Sequence, residues 1–159
     1  MGYGDRESVR RVRAALEERG VRPEFVELEA TARSARDAAA ALGCRVEQIV
    51  KSLVFRGADT GSPVLVLASG PNRVDEGRIS AALGEKIEKA DAAFVREKAG
   101  FAIGGVPPQG HTEAATTFLD KDLLKEDEVW AAAGHTHVVF GLRPEELRRI
   151  TAARAIRVK

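Results

Sequence analysis

The stretch Ile49-Val50-Lys51-Ser52-Leu53-Val54-Phe55 is short, rich in β-branched and aromatic residues, and apolar on both faces. It reads as a buried strand. A period of two places Lys51 on the same face as Ile49, Leu53 and Phe55, with Ser52 on the other. An ammonium on such a face cannot stay dry and unpaired, because desolvation costs several kcal/mol, roughly, or strips its proton. The face therefore opens onto a cleft, a carboxylate or a polar ligand, or else Lys51 ends the strand and its stem lies on apolar surface while its head reaches water.

Working outward, Pro63-Val64-Leu65-Val66-Leu67-Ala68 is a second strand that is apolar on both faces, separated from the first by a turn over Gly57 to Ser62. The pair predicts a hairpin at the centre of a sheet covered on each side. Before it, Asp5 caps a helix running to about Arg19, with Val9, Val12 and Leu16 inward and Gly20 as the stop. Phe25 to Glu29 reads as a strand. Ser34 and Asp37 form a capping-box pattern opening an alanine-rich helix, with Ala38, Ala41 and Leu42 inward and Gly43 at its end. Beyond the hairpin, Gly70-Pro71-Asn72 breaks the chain. Asp75 and Asp91 start short helices that end at Gly84 and Gly100, with a brief strand between them near Lys86 to Ala90. Thr116 to Leu119, Glu128 to Ala133 and Thr136 to Leu142 read as strands, the last two joined at Gly134-His135. Pro144 opens a final helix with Leu147 and Ile150 inward, and Ala155 to Val158 adds an edge strand. Helices and strands interleave irregularly, which favours α+β over a doubly wound fold. The expectation is one domain over residues 1–159, with a mixed, curved, barrel-like sheet flanked by helices and an N-terminal helix within residues 1–22 packed on it.

At 159 residues the chain can bury a sizeable core, and 44% hydrophobic with 31% charged residues is ordinary for a globular protein. The lone cysteine, Cys44, allows no internal disulfide and suits a reducing cytoplasm. No run approaches the roughly 18 apolar residues of a membrane span, and no signal-peptide core is present. A formal net charge of +1 neither advertises nor excludes nucleic acid, since holding only the end of an RNA takes few phosphate contacts.

The stretch Gly104-Gly105-Val106-Pro107-Pro108-Gln109-Gly110-His111 packs three glycines and two prolines into eight residues. Glycine admits close approach to backbone amides and proline fixes the loop, which suits an oxyanion site. A rigid surface turn is the alternative reading. No Gly-Lys-Ser/Thr follows, so the loop is not of the Walker kind. His111, His135 and His137 lie at or near glycine turns. His135 and His137 on one strand would share a face, but no third metal ligand accompanies them, so hydrogen-bonding or structural roles are expected and neither metal nor cofactor is. Cys44 reads as core or half-buried filler. Ser52, facing away from Lys51, argues against a Ser–Lys nucleophilic dyad.

Ala41-Leu42-Gly43-Cys44, the Gln48 to Phe55 segment, the Gly104 to His111 loop and Trp130-Ala131-Ala132-Ala133-Gly134-His135 occur in an order and spacing that resembles the YbaK/EbsC family, over roughly residues 25 to 155. These are free-standing relatives of the editing domain of bacterial prolyl-tRNA synthetases. The resemblance implies an aminoacyl-tRNA deacylase that removes a small amino acid, such as cysteine, alanine or serine, from mischarged tRNA. It places Lys51, Gly104 and Gly105 at the chemistry and Val106, Pro107, Pro108, Gly110, His111, Gly134 and His135 around the substrate. The partner implied is the acceptor end of an aminoacyl-tRNA, with a synthetase as a further partner and no membrane. Pro107 departs from the small residue, often serine, of many relatives, so the amino-acid preference does not carry over. A non-catalytic aminoacyl- or nucleotide-end binding module, and a hydrolase of another small ester or thioester, are the competing expectations.

Overall fold

The structure is a computed structural model that describes Tyr3 and residues 6–159. Among these residues five α-helices and eight strands form an α+β fold. Helix α1 (Glu7–Glu18) buries Val9, Val12 and Leu16. The expected cap at Asp5 lies outside the described residues, and Arg6 stands at the N-cap position. Strand β1 (Phe25–Glu27) is followed by α2 (Ala35–Leu42). Ser34 Oγ accepts the Asp37 N–H at 3.0 Å, and Asp37 returns a bond to the Arg33 N–H at 3.2 Å. Ala38 and Leu42 pack inward against Leu28, Ala32 and Val139 as expected, with Ala39 buried as well; Ala41, expected on the same face, is exposed.

A 3-10 turn (Val46–Gln48) leads into β2 (Val50–Gly57), which pairs antiparallel with β3 (Pro63–Ser69) through Lys51↔Ala68 and Leu53↔Val66. All seven β3 residues are buried. After α3 (Glu76–Leu83), β4 (Ile87–Lys89) and α4 (Ala92–Ala99) come β5 (Thr116–Asp120), the 3-10 turn Lys121–Lys125, β6 (Val129–His135), β7 (Val138–Leu142), α5 (Pro144–Thr151) and β8 (Arg154–Ile156). The strands divide into a sheet ordered β4-β2-β3-β5-β8, mixed in direction, and an antiparallel sheet ordered β1-β7-β6. The sheets are not closed into a barrel. Among the described residues a parallel bridge, Ile49↔Trp130, links them.

The main buried cluster lies between the sheets and α1, and contains Val9, Leu16, Val50, Leu67, Ala131, Phe140 and Leu147. A second cluster on the other face of the larger sheet holds Phe55, Val64, Val66, Ile79 and Phe118, with Leu53 against it. The alternation of β2 is therefore real: Val50 and Val54 face one cluster, Leu53 and Phe55 the other. The hairpin joining β6 and β7 turns at Thr136-His137, not at Gly134-His135. Gly134 instead sits at a β-bulge with φ +94°, because its α-carbon lies against the Ser8 carbonyl of α1 and leaves no room for a side chain. His135 consequently ends β6 and His137 lies in the turn, so the two do not alternate along a strand.

Candidate active site

Main-chain parity explains why the fold opens beside Lys51. The Gly57 N–H donates to Ser62 O at 2.9 Å, and the Ala58 N–H donates to Lys86 O at 2.8 Å. Odd-numbered residues of β2 thus turn their backbone groups to β3, and even-numbered residues turn theirs the other way. That other edge is covered by β4 only from Phe55 to Gly57, and by β6 only at the Ile49↔Trp130 bridge. Between those points Ser52 and Leu53 border a cleft.

The cleft has a volume near 310 Å³. Lys51, Ser52 and Leu53 form one wall, and Leu28, Ala32, Trp130 and Val139 the other. Ile103, Gly104 and Val106 close the end, with Arg33 and Thr136 also contributing. A smaller cavity of about 210 Å³ continues past Ile103 toward Phe55 and Val95. Ser52 Oγ lies buried at the junction without a hydrogen-bond partner.

The glycine stretch approaches this cleft as a turn. The Gly105 N–H donates to Ala102 O at 3.0 Å, with Ile103 and Gly104 between them and Gly104 at φ +93°. A positive φ at the third position of such a turn calls for glycine. Ile103, at the second position, projects 59% exposed over the cleft. Gly105 is required for a different reason: a β-carbon there would meet the backbone of Gly134 and His135 at 3.0 Å. The turn is thus laid directly on β6. Because the Gly105 amide closes the turn, it already has an acceptor. The amides of Gly104 and Val106 make no backbone hydrogen bond among the described residues.

The structure groups the expected site residues unevenly. Lys51, Gly104 and Val106 share the cleft. Pro108, Gly110 and His111 border another cavity, beside Arg19 and Thr151. Pro107 is buried, and its carbonyl binds His111 Nε2 at 2.7 Å, which braces the loop from within. Burial pushes the His111 pKa down, partly offset by that hydrogen bond. Gly134 and His135 support Gly105 from behind. The His135 ring stacks on Tyr3 at 4.3 Å and accepts the His137 N–H at its Nδ1, 3.0 Å away. Its pKa is lowered by burial, then by Arg6 and His137. Among the described residues no group of three His, Cys, Asp or Glu side chains is placed to hold a metal ion.

Lys51 Nζ donates to the backbone carbonyl of Asn72 at 2.6 Å. Desolvation lowers its pKa, and the nearby Asp120 carboxylate works in the opposite sense. Sequence reasoning missed the Asn72–Asp120 pair, having read Gly70-Pro71-Asn72 only as a break. The available signal was Asp120 itself, an acid closing the apolar run Phe118-Leu119. Nothing in the sequence pointed to Leu28, Ala32 or Val139 as the opposite wall, because long-range pairing of β1 and β7 puts them there.

With this geometry, residues 29–150 match the model of the aminoacyl-tRNA editing domain, and the chain belongs to that family. It is 46% identical, with a TM-score of 0.92, to a solved structure of a protein proposed as a trans-editing enzyme for prolyl tRNA synthetase, over 97% of this chain and 98% of that one. A structure of the hypothetical protein APE2540 is 26% identical with a TM-score of 0.85, covering 93% and 98% of the two chains. The uncharacterized protein YwhH of Bacillus subtilis (strain 168) is 30% identical over 124 residues, 78% of each chain.

Proposed function

We propose that the protein is a free-standing deacylase that hydrolyses the ester of a mischarged aminoacyl-tRNA carrying a small amino acid such as cysteine, alanine or serine. The observation that carries this reading is the cleft itself: Lys51 and the Gly104 turn line the same narrow, largely apolar chamber within a fold of the editing family. About 310 Å³ is at the small end of ligand cavities, which suits an aminoacyl group with a short side chain. Lys51 anchors the ester or terminal-ribose end by charge and hydrogen bonding. The turn supplies amide dipoles to the carbonyl oxygen as negative charge develops there. The turn geometry narrows the donors: Gly104 and Val106 offer free amides, while Gly105 sets their position by packing on β6.

Attack comes from water or from a neighbouring group of the substrate, a ribose hydroxyl or a side-chain thiol. This agrees with the hydrogen bonding of Lys51, whose Nζ donates to Asn72 O and not to Ser52, so that no Ser–Lys dyad forms. Selection by chamber size is limited for small apolar differences. A synthetase whose first sieve fails is the natural source of such a substrate, and the cytoplasm its natural place. A panel of correctly and incorrectly charged tRNAs tests the reading. Turnover of tRNA carrying cysteine, alanine or serine is expected, with bulky aminoacyl esters spared; binding without turnover of any ester would favour a non-catalytic module.

A further inference from the structure

The Lys51 ammonium is seated on a carbonyl, and that carbonyl is itself held by a buried acid. Asp120, at the end of β5, is 2% exposed. Its Oδ2 accepts the Ser69 N–H at 3.0 Å and the Asn72 Nδ2–H at 2.8 Å, and its Oδ1 accepts the Asp122 N–H at 2.9 Å. Asn72, 6% exposed, also donates through Nδ2 to Asp122 Oδ2 at 2.8 Å. The turn after β3 is thereby clamped between the ends of β3 and β5, with its Asn72 carbonyl directed at Lys51 Nζ.

We propose that Asp120 and Asn72 are positioning residues for Lys51: Asn72 fixes the seat of the ammonium, and the charge of Asp120 keeps that ammonium protonated within a partly dry wall. The inference rests on the reading of Lys51 as the substrate anchor. Two features favour it over a turn clamp alone. A clamp needs no carboxylate beneath it, because a neutral acceptor would serve the same N–H groups at lower desolvation cost. Asp120 is also the acid whose field opposes the desolvation of Lys51. The other charged groups nearby are differently engaged: Asp122 faces Lys125 at 3.1 Å and Lys159 at 3.6 Å, and Arg33 lies on the rim of the cleft.

The test measures the Lys51 ammonium directly. Lysine side-chain NMR titration, with the Lys51 signal assigned by its loss in Lys51→Arg, is carried out on the wild type, Asp120→Asn and Asn72→Ala, beside circular dichroism and the pH profile of deacylation. Asp120→Asn is expected to fold and to titrate Lys51 at a lower pH than the wild type. The alkaline limb of its kcat profile should move down with it, while KM for the tRNA stays within about twofold, since dispersed phosphate contacts set it. Asn72→Ala is expected to lose kcat on the order of 10²-fold, the size of effect that follows from misplacing a group by about 1 Å. A folded Asp120→Asn whose Lys51 titration and pH profile match the wild type overturns the proposal. So does failure of both variants to fold, which would make the network purely structural. Full activity in Lys51→Ala would instead sink the anchor reading, and the NMR shift would still decide whether Asp120 governs the ammonium.

Discussion

At the scale of single residues, Lys51 and the glycines carry the account. The ammonium is compact, and its seat is one carbonyl at 2.6 Å. The planar fork of Lys51→Arg cannot take that place and still reach the ester, so deacylation is expected to fall nearly as far as in Lys51→Ala while the melting temperature holds. Retained activity in Lys51→Arg, measured by release of the amino acid, would mean that any cation suffices. Burial lowers the Lys51 pKa, so activity should be lost at a pH below the usual lysine range as the ammonium deprotonates. Gly105→Ala tests the turn. Its methyl group would meet β6 backbone at 3.0 Å and displace the neighbouring Gly104 and Val106 amides. A loss of about 10²–10³ in single-turnover rate is expected, the usual cost of an oxyanion donor. Binding of the tRNA body by filter assay should change little; equal losses in both would move the loop from chemistry to grip.

At the scale of elements, the strands that decide the fold were legible because their apolar runs are unambiguous. Val50–Gly57 and Pro63–Ser69 pair as the sequence hairpin predicts, and the helix ends at Gly43, Gly84 and Gly100 each show the left-handed conformation expected of a stop. What could not be read was the partition into two sheets, since it depends on where the edge of β2 is left uncovered by β4 and β6. The same long-range pairing hid half of the cleft: Lys51 and the glycine turn stood out by composition, whereas Leu28 and Val139 look like any core residue. The turn at Thr136-His137 was misplaced because Gly134 signals a bulge and a turn equally well. The Gly104 to His111 loop is one such element with a testable brace. His111 Nε2 meets the Pro107 carbonyl, and burial holds its pKa below the usual value of about 6.5. A histidine held below its unfolded pKa lets the unfolded chain bind the extra proton first. Stability should therefore be complete above about pH 6.5 and decline as the pH falls through that window. Chemical denaturation across that range should show a shallower decline in His111→Gln; identical slopes would remove His111 as the titrating group.

At the scale of the whole molecule, an editing-family fold holds one small chamber between two unclosed sheets. The chemistry assigned to it uses a lysine, backbone amides and a water or substrate nucleophile. Activity should accordingly survive exhaustive treatment with EDTA, and loss restored by zinc would make metal ligands of His135 and His137. The most direct test of the central claim is single-turnover deacylation of a tRNA charged with alanine, cysteine or serine, comparing the wild type with Lys51→Ala at matched, saturating protein. Ester hydrolysis by the wild type is expected, with loss of most of it in a Lys51→Ala protein that melts at the same temperature. Equal rates in the two proteins, or no hydrolysis of any of the three esters by the wild type, would contradict it.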